Sequence, residues 1–213
     1  GTTNTAVGSG VMAANTTGNQ NTAVGSDALD ANTEGHYNVA VGYNALGANT
    51  TADDNVAVGQ AALLSNTTGH SNTAVGQKAL EDNVTSAHNT AVGHEALLVT
   101  TGGSNTGVGA DALIANIGGG GNSALGKGAG SKINTGDNNV CLGASAGDAI
   151  TSGSDNIMIG VGINVSAAGG SNSIGLGQNF GVAANDFTFG KAGNQVTCDF
   201  DADADFARSS DIR

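Results

Sequence analysis

Residues 21–37 read NTAVGSDALDANTEGHY, and the next stretch opens the same way, Asn38-Val39-Ala40-Val41-Gly42. Later copies open at Asn55, Asn72, Asn89, Asn105, Asn122, Asn139 and Asn156, and an earlier one opens at Asn4. Every step from 4 to 89 is 17 residues, the step from 89 to 105 is 16, and the next three are 17 again. A fixed period this short specifies a solenoid. Each copy is one coil that cannot bury its apolar side until neighbours stack on it. Such a rod is more often a structural or adhesive part than an enzyme.

Within one coil, Asn21 to Gly25 alternate and carry β-branched residues, which predicts a strand. Gly25 ends it and permits a positive φ or a close backbone approach. Ala28-Leu29-Asp30-Ala31 reads as a second short strand, and Asn32-Thr33-Glu34-Gly35 as the turn that returns the chain. Two strands per coil suggest a flattened roll. A three-sided hexapeptide helix would repeat an aliphatic residue every six positions, whereas Val24 and Leu29 are five apart and no third follows.

In-register stacking aligns like with like. The predicted core is two columns: Val24, Val41, Val58, Val75 and Val92, continuing to Ile159, and Leu29, Leu46, Leu63, Leu80 and Leu97, continuing to Leu113. Burial of each such side chain is worth roughly 1.5–3 kcal/mol. The small column from Ala23 to Ala91 is expected against another subunit or a facing strand. The column Asn21, Asn38, Asn55, Asn72, Asn89, Asn105, Asn122, Asn139 and Asn156 is expected to form a hydrogen-bonded ladder at the coil corner, because side-chain amides bond both turn backbone and the next coil.

The pattern shifts near residue 122, where the Ala-Leu pair becomes Ala129-Gly130 and Ala146-Gly147 and the second strand is expected to thin out. Asp186-Phe187-Thr188-Phe189-Gly190 reads as a last, shorter coil, giving about 12 coils over residues 1–193. At ~4.8 Å per stacked strand, that is a rod roughly 55–60 Å long. Residues 194–208 form a C-terminal strand or neck, with Asp199, Asp201, Asp203 and Asp205 on one face and Phe200, Ala202, Ala204 and Phe206 on the other. One strand cannot hide this Phe face alone, which points to association between chains. The Asp row is read as a solvated face, because the spacing and glycine of an EF-hand calcium loop are absent.

Composition narrows the function. Only 11% of residues are charged, and the chain has 36 Gly but no Pro or Trp, unlike a globular enzyme of this length. Disorder is equally disfavoured by the strict apolar period. The net charge of −12 argues against a nucleic-acid partner or an anionic membrane. No apolar run approaches the ~20 residues that cross a bilayer. The start at Gly1 in mid-pattern suggests a piece of a longer protein. Cys141 sits in the small column and reads as a buried residue; with Cys198 and no His at ligand spacing it makes no zinc motif. No cofactor, metal or catalytic residue is expected.

The coil resembles the left-handed parallel β-roll of trimeric autotransporter adhesin heads, whose repeats look like Asn-Ser-Val-Ala-Ile-Gly. It is closer still to long phage tail-fibre arrays, on the stretches NTAVGQKAL at 72–80 and NVCLGASAG at 139–147. The resemblance covers about residues 4–190. Ser209-Ser210-Asp211-Ile212-Arg213 resembles the opening of the endosialidase-type intramolecular chaperone, which typically begins Ser-Asp-x-Arg-Leu-Lys. That domain trimerises fibres and then cuts itself off with a Ser-Lys pair. Ser210 matches the serine at the cut, followed by Asp211, so residues 209–213 are taken as the start of this motif; the Leu-Lys is missing, so this stretch alone does not support self-cleavage.

The resemblance implies an all-β, left-handed parallel β-roll, homotrimeric, in a virion tail fibre or another extracellular fibre. The expected function is a non-enzymatic structural module of a trimeric phage tail fibre that contributes to host-cell attachment, with itself and a host surface glycan or protein as partners. Tyr37 and Tyr43 are candidates for stacking on sugars, and the turn histidines are assigned no chemistry. The runner-up is the head of a bacterial trimeric adhesin. An ice-binding solenoid is a third reading, weakened because the column of Thr22, Thr73, Thr90 and Thr106 is interrupted by Val39 and Val56. A glycan depolymerase would need paired carboxylates across a cleft, and the acids here are scattered over turns.

Overall fold

The structure, a computed structural model, describes residues 1–199 and the backbone of Ala207–Arg208. Strands β1 (Thr5–Val7), β2 (Thr22–Val24), β3 (Val39–Val41), β4 (Val56–Val58), β5 (Thr73–Val75), β6 (Thr90–Val92), β7 (Thr106–Val108), β8 (Ser123–Leu125), β9 (Val140–Leu142) and β10 (Ile157–Ile159) pair in sequence order, all parallel and in register. The stack continues past β11 (Asn164–Val165) through β12 (Ile174–Gln178), and past β13 (Gly181–Val182) to β14 (Asp186–Lys191), while β11 and β13 pair with each other. The result is an all-β parallel solenoid of about 11 turns with ~17 residues per turn. Because parallel neighbours require a crossover, each coil is itself the crossover between two strands of one sheet.

The last short coil takes a different form. After β14 the chain folds back as β15 (Asn194–Asp199), antiparallel, and β16 (Ala207–Arg208) pairs with β15. Residues 186–199 are thus a hairpin closing the stack, with the Thr188 and Thr197 hydroxyls 3.0 Å apart. The acidic and aromatic faces expected at 200–206 and the Ser210-Asp211 motif lie outside the described residues.

The second short strand is absent from the coils preceding β11. Its place is taken by turns, because alternate residues there are left-handed: Asp27 and Leu29 have φ of 55° and 56°, and Leu46 to Leu113 stay between 50° and 54°. Extended pairing needs negative φ throughout. The turns still bond coil to coil, as in Leu46 N to Ala62 O at 3.0 Å and Asn44 N to Ser26 O at 3.0 Å. These backbone bonds in both directions hold a conformation that is otherwise costly for leucine.

The glycine closing each strand is required. From Gly25 to Gly177 these residues have φ between 129° and 145°, and a Cβ on Gly42 would lie 2.5 Å from Gly59 O. Backbone stacks directly on backbone at this corner, leaving room for no side chain.

The core also corrects the predicted columns. Leu29, Leu46, Leu63, Leu80, Leu97 and Leu113 are fully buried, and so are Ala23, Ala40, Ala57, Ala74 and Ala91. Ala and Leu columns face each other inside one chain: a Cβ on Gly107, which stands in the Ala column, would sit 3.3 Å from Leu97 Cγ. Val24, Val41, Val58, Val75 and Val92, expected in the core, point outward and are half-buried or exposed. The reason is volume. A coil this flat closes on one large side chain per rung, so a Leu from the turn side must meet an Ala from the sheet side. Close packing excludes a second large residue.

Candidate functional site

Strand alternation sends the residue between each corner Asn and its buried Ala outward, together with the Val that follows the Ala. The first outward column runs Thr5, Thr22, Val39, Val56, Thr73, Thr90 and on through Ser123 and Ile157 to Phe187; the second runs from Val7 through the five Val residues, Val108, Leu125, Leu142, Ile159 and Leu176 to Phe189. Neither column carries a charged residue. Val7 is 58% exposed, Leu125 54% and Phe189 42%, so the strip is open along its length. At its far end Phe187 and Phe189 pack together, their rings tilted by 35° with centroids 5.7 Å apart. Twelve parallel rungs at ~4.8 Å and three residues at ~3.3 Å make a strip of roughly 500 Å². The strip is uncharged but mixed, with Thr or Ser at six of the twelve positions of the first column and apolar residues throughout the second. An exposed apolar column of this length on an otherwise acidic chain is a candidate interaction surface.

Two asparagine columns bond successive coils behind the strip. In the corner column, each side chain spans one rung. Asn38 N donates to Asn21 Oδ1 at 2.9 Å, and Asn38 Nδ2 donates to Ala52 O at 2.8 Å. The pattern repeats at Asn55, Asn72, Asn89, Asn105, Asn122, Asn139 and Asn156, and ends with Ser173 N donating to Asn156 Oδ1 at 3.0 Å. Every corner Asn from Asn38 onward is fully buried with its amide engaged, so this row presents no ligand-binding groups.

Sequence reading missed a second column, Asn15, Asn32, Asn49, Asn66, Asn83 and Asn116, of which it places only Asn32, in a turn. Asn49 Nδ2 donates to Asn32 Oδ1 at 2.8 Å and to Ala52 O at 3.1 Å, the carbonyl that also accepts from Asn38. The turn is therefore clamped from both sides. The signal was present in the strict period of these residues.

The second ladder has two faults. At Thr100 the coil is one residue short, and the contact that joins Asn83 to Ser86 becomes Thr100 to Gly102. The shorter hydroxyl suits the tighter turn but cannot reach the amide of Asn83. At Ile133 the column turns apolar. The buried Oδ1 atoms of Asn83 and Asn116, which face these two interruptions, have no hydrogen-bond partner.

Cys141 replaces Ala in the small column, and burial, aided by the Asp148 carboxylate, pushes its thiol up to about 12. It is therefore an unreactive thiol at neutral pH. Cys198 is also buried, and the two are not bonded to each other. Tyr37 and Tyr43 are exposed at 54% and 52%. His36 Nδ1 accepts from Asn19 N at 2.9 Å, a bond that closes one rung of the turn edge. His94, Glu95 and Asp111 bring possible metal-ligand atoms within 4.8 Å of one another. No family model, curated protein or solved structure matches this chain.

Proposed function

We propose that this chain is a non-enzymatic structural module of a homotrimeric phage tail fibre, with a left-handed roll, that contributes to host-cell attachment. The observation that carries this reading is the uncharged outward strip of the parallel sheet. Its roughly 500 Å² per chain, shared between two neighbours, gives about 1,500 Å² over three chains, with each pairwise contact smaller than the ~800 Å² per partner of a standard interface but continuous along the whole rod. Three such strips meeting about one axis would hide the Val, Leu, Ile and Phe residues and leave the turn edges, which carry the acidic residues and Tyr37, in water. The contact between subunits thus moves from the Ala column, which is spent inside each roll, to the Thr/Val and Val columns. Stacked backbone bonds supply axial stiffness, and the varied turn edges or a separate tip would supply adsorption to a host glycan or protein.

Light scattering on a size-exclusion column tests the reading. The native chain should elute near three times 20.5 kDa, and Val58→Asp with Val92→Asp should convert it to folded monomers. A native chain that stays monomeric at high concentration would overturn the trimer. It would also favour the reading in which flat outward Thr and Val columns bind ice, with freezing-point hysteresis as the next measurement.

A further inference from the structure

His94 and Glu95 follow the strand-closing Gly93, and Asp111 stands directly beside Glu95 on the next coil. Glu95 and Asp111 share one column, at φ of 54° and 61°, and Asp111 N donates to His94 O at 3.0 Å, which fixes the rung. His94 Nε2 lies 3.7 Å from Glu95 Oε1, and Nδ1 lies 4.0 Å from Asp111 Oδ1. These separations are longer than hydrogen bonds. They are close to the edge of a coordination polyhedron, since ligands at ~2.0–2.1 Å around tetrahedral Zn²⁺ lie about 3.3 Å apart. The two carboxylates face opposite nitrogens of the ring, and one ligand atom from each residue lies within 4.8 Å of the others. Rotation of these partly exposed side chains, by about an ångström or more, would bring one nitrogen and both carboxylates onto one ion.

Two further features single out this rung. Elsewhere the same column runs Asp27, Asn44, Ala61 and Lys78, so Glu95 and Asp111 are its one pair of stacked acids among the described residues. Like charges directly opposite are unfavourable, and the nearby Lys78 turns to Glu81 at 3.2 Å instead. The rung also joins the 16-residue coil to its successor. Asn116 Nδ2 there reaches only Gly119 O, at 2.9 Å, and no amide stands beneath it at Thr100.

We propose that His94, Glu95 and Asp111 form a surface Zn²⁺ site that staples these two coils. One imidazole nitrogen and two carboxylates are the ligands, and water completes the coordination. Imidazole selects a transition ion over calcium or magnesium. Sequence spacing concealed the site, because ligands 16 residues apart meet only when the coils stack.

Isothermal titration of the full chain with Zn²⁺ alone is the test, with thermal unfolding read in parallel. One equivalent per chain should bind, raise Tm, and be reversed by EDTA. His94→Gln and the pair Glu95→Gln with Asp111→Asn should each weaken binding by more than about tenfold, the loss that even outer-shell changes cause at metal sites. His70→Gln with His88→Gln removes the other histidine cluster, whose rings lie 4.8 Å apart, and should leave binding intact. Absence of binding, native-like binding by His94→Gln, or loss confined to the His70/His88 variant would each overturn the proposal.

Discussion

The coils between Asn21 and Gly121 and those from Asn122 to Ile150 enclose the same internal space with different side chains. In the first array a left-handed Leu reaches in from the turn, and the buried Asn three residues later bonds its neighbours. In the second, Gly130 and Gly147 stand where the Leu was, and Ile133 and Ile150 where the Asn was. A Cβ on Gly130 would lie 2.9 Å from Leu113 Cδ2 and 3.0 Å from Ile133 Cδ1, and one on Gly147 would collide with Cys141 Sγ. The space admits one large apolar group per rung, delivered from either position. Beyond Ile150 the solution changes again: β11 and β13 replace the turns with true strands, packed by Ile163, Val165 and Val182. One sheet is therefore compatible with three ways of closing the other side, provided the enclosed volume is conserved.

The comparison predicts that Leu63→Ala and Ile150→Ala, one from each array, cost similar amounts, about 2–5 kcal/mol. Denaturant unfolding measures both, and a much cheaper Ile150→Ala would break the equivalence. Gly130→Leu should cost about 1–3 kcal/mol by overpacking. Its φ of 59° is left-handed like the 53° of Leu113, a conformation costly for leucine, and the side chains of Leu113 and Ile133 fill the space a Cβ would enter. Adding Ile133→Asn should recover most of the loss, because the new amide can also bond the unpaired Asn116 Oδ1. A double-mutant cycle with no coupling would refute this account.

Asn66→Leu, in the middle of a ladder, strands the amide groups above and below it and should cost about 1–3 kcal/mol. Asn116→Leu, at a ladder end with one acceptor already unpaired, should cost much less. Equal losses in chemical denaturation would mean that the ladder is not cooperative. At neutral pH the smallest effect concerns Cys141, whose contribution changes only in alkaline solution. Because its thiol is held protonated well above the ordinary value of 9.0, up to about 12, the unfolded chain loses this proton first as pH rises. Its contribution is intact below about pH 9 and declines from there toward pH 12. Cys141→Ala should flatten that part of the stability profile, and a slope unchanged by the substitution would assign it to other groups.

The period alone determined a parallel stack with about 17 residues per coil, the short strands that follow each corner Asn, and the need for glycine after them. Identical residues return at identical heights, so these features require no knowledge of the coil's interior. The sign of the sheet's two faces was not legible. Alternation places Ala and Val on opposite faces, and hydrophobicity ranks Val as the inner residue. Only the enclosed volume, fixed by the Leu arriving from the far side, puts Ala inside and turns Val24 and its successors outward. The second short strand failed for a related reason, since a left-handed Leu leaves no mark in composition. The second Asn ladder and the His94–Glu95–Asp111 cluster were visible as letters but not as contacts. Residues 16 or 17 positions apart touch only because the coil returns the chain to within one rung of itself.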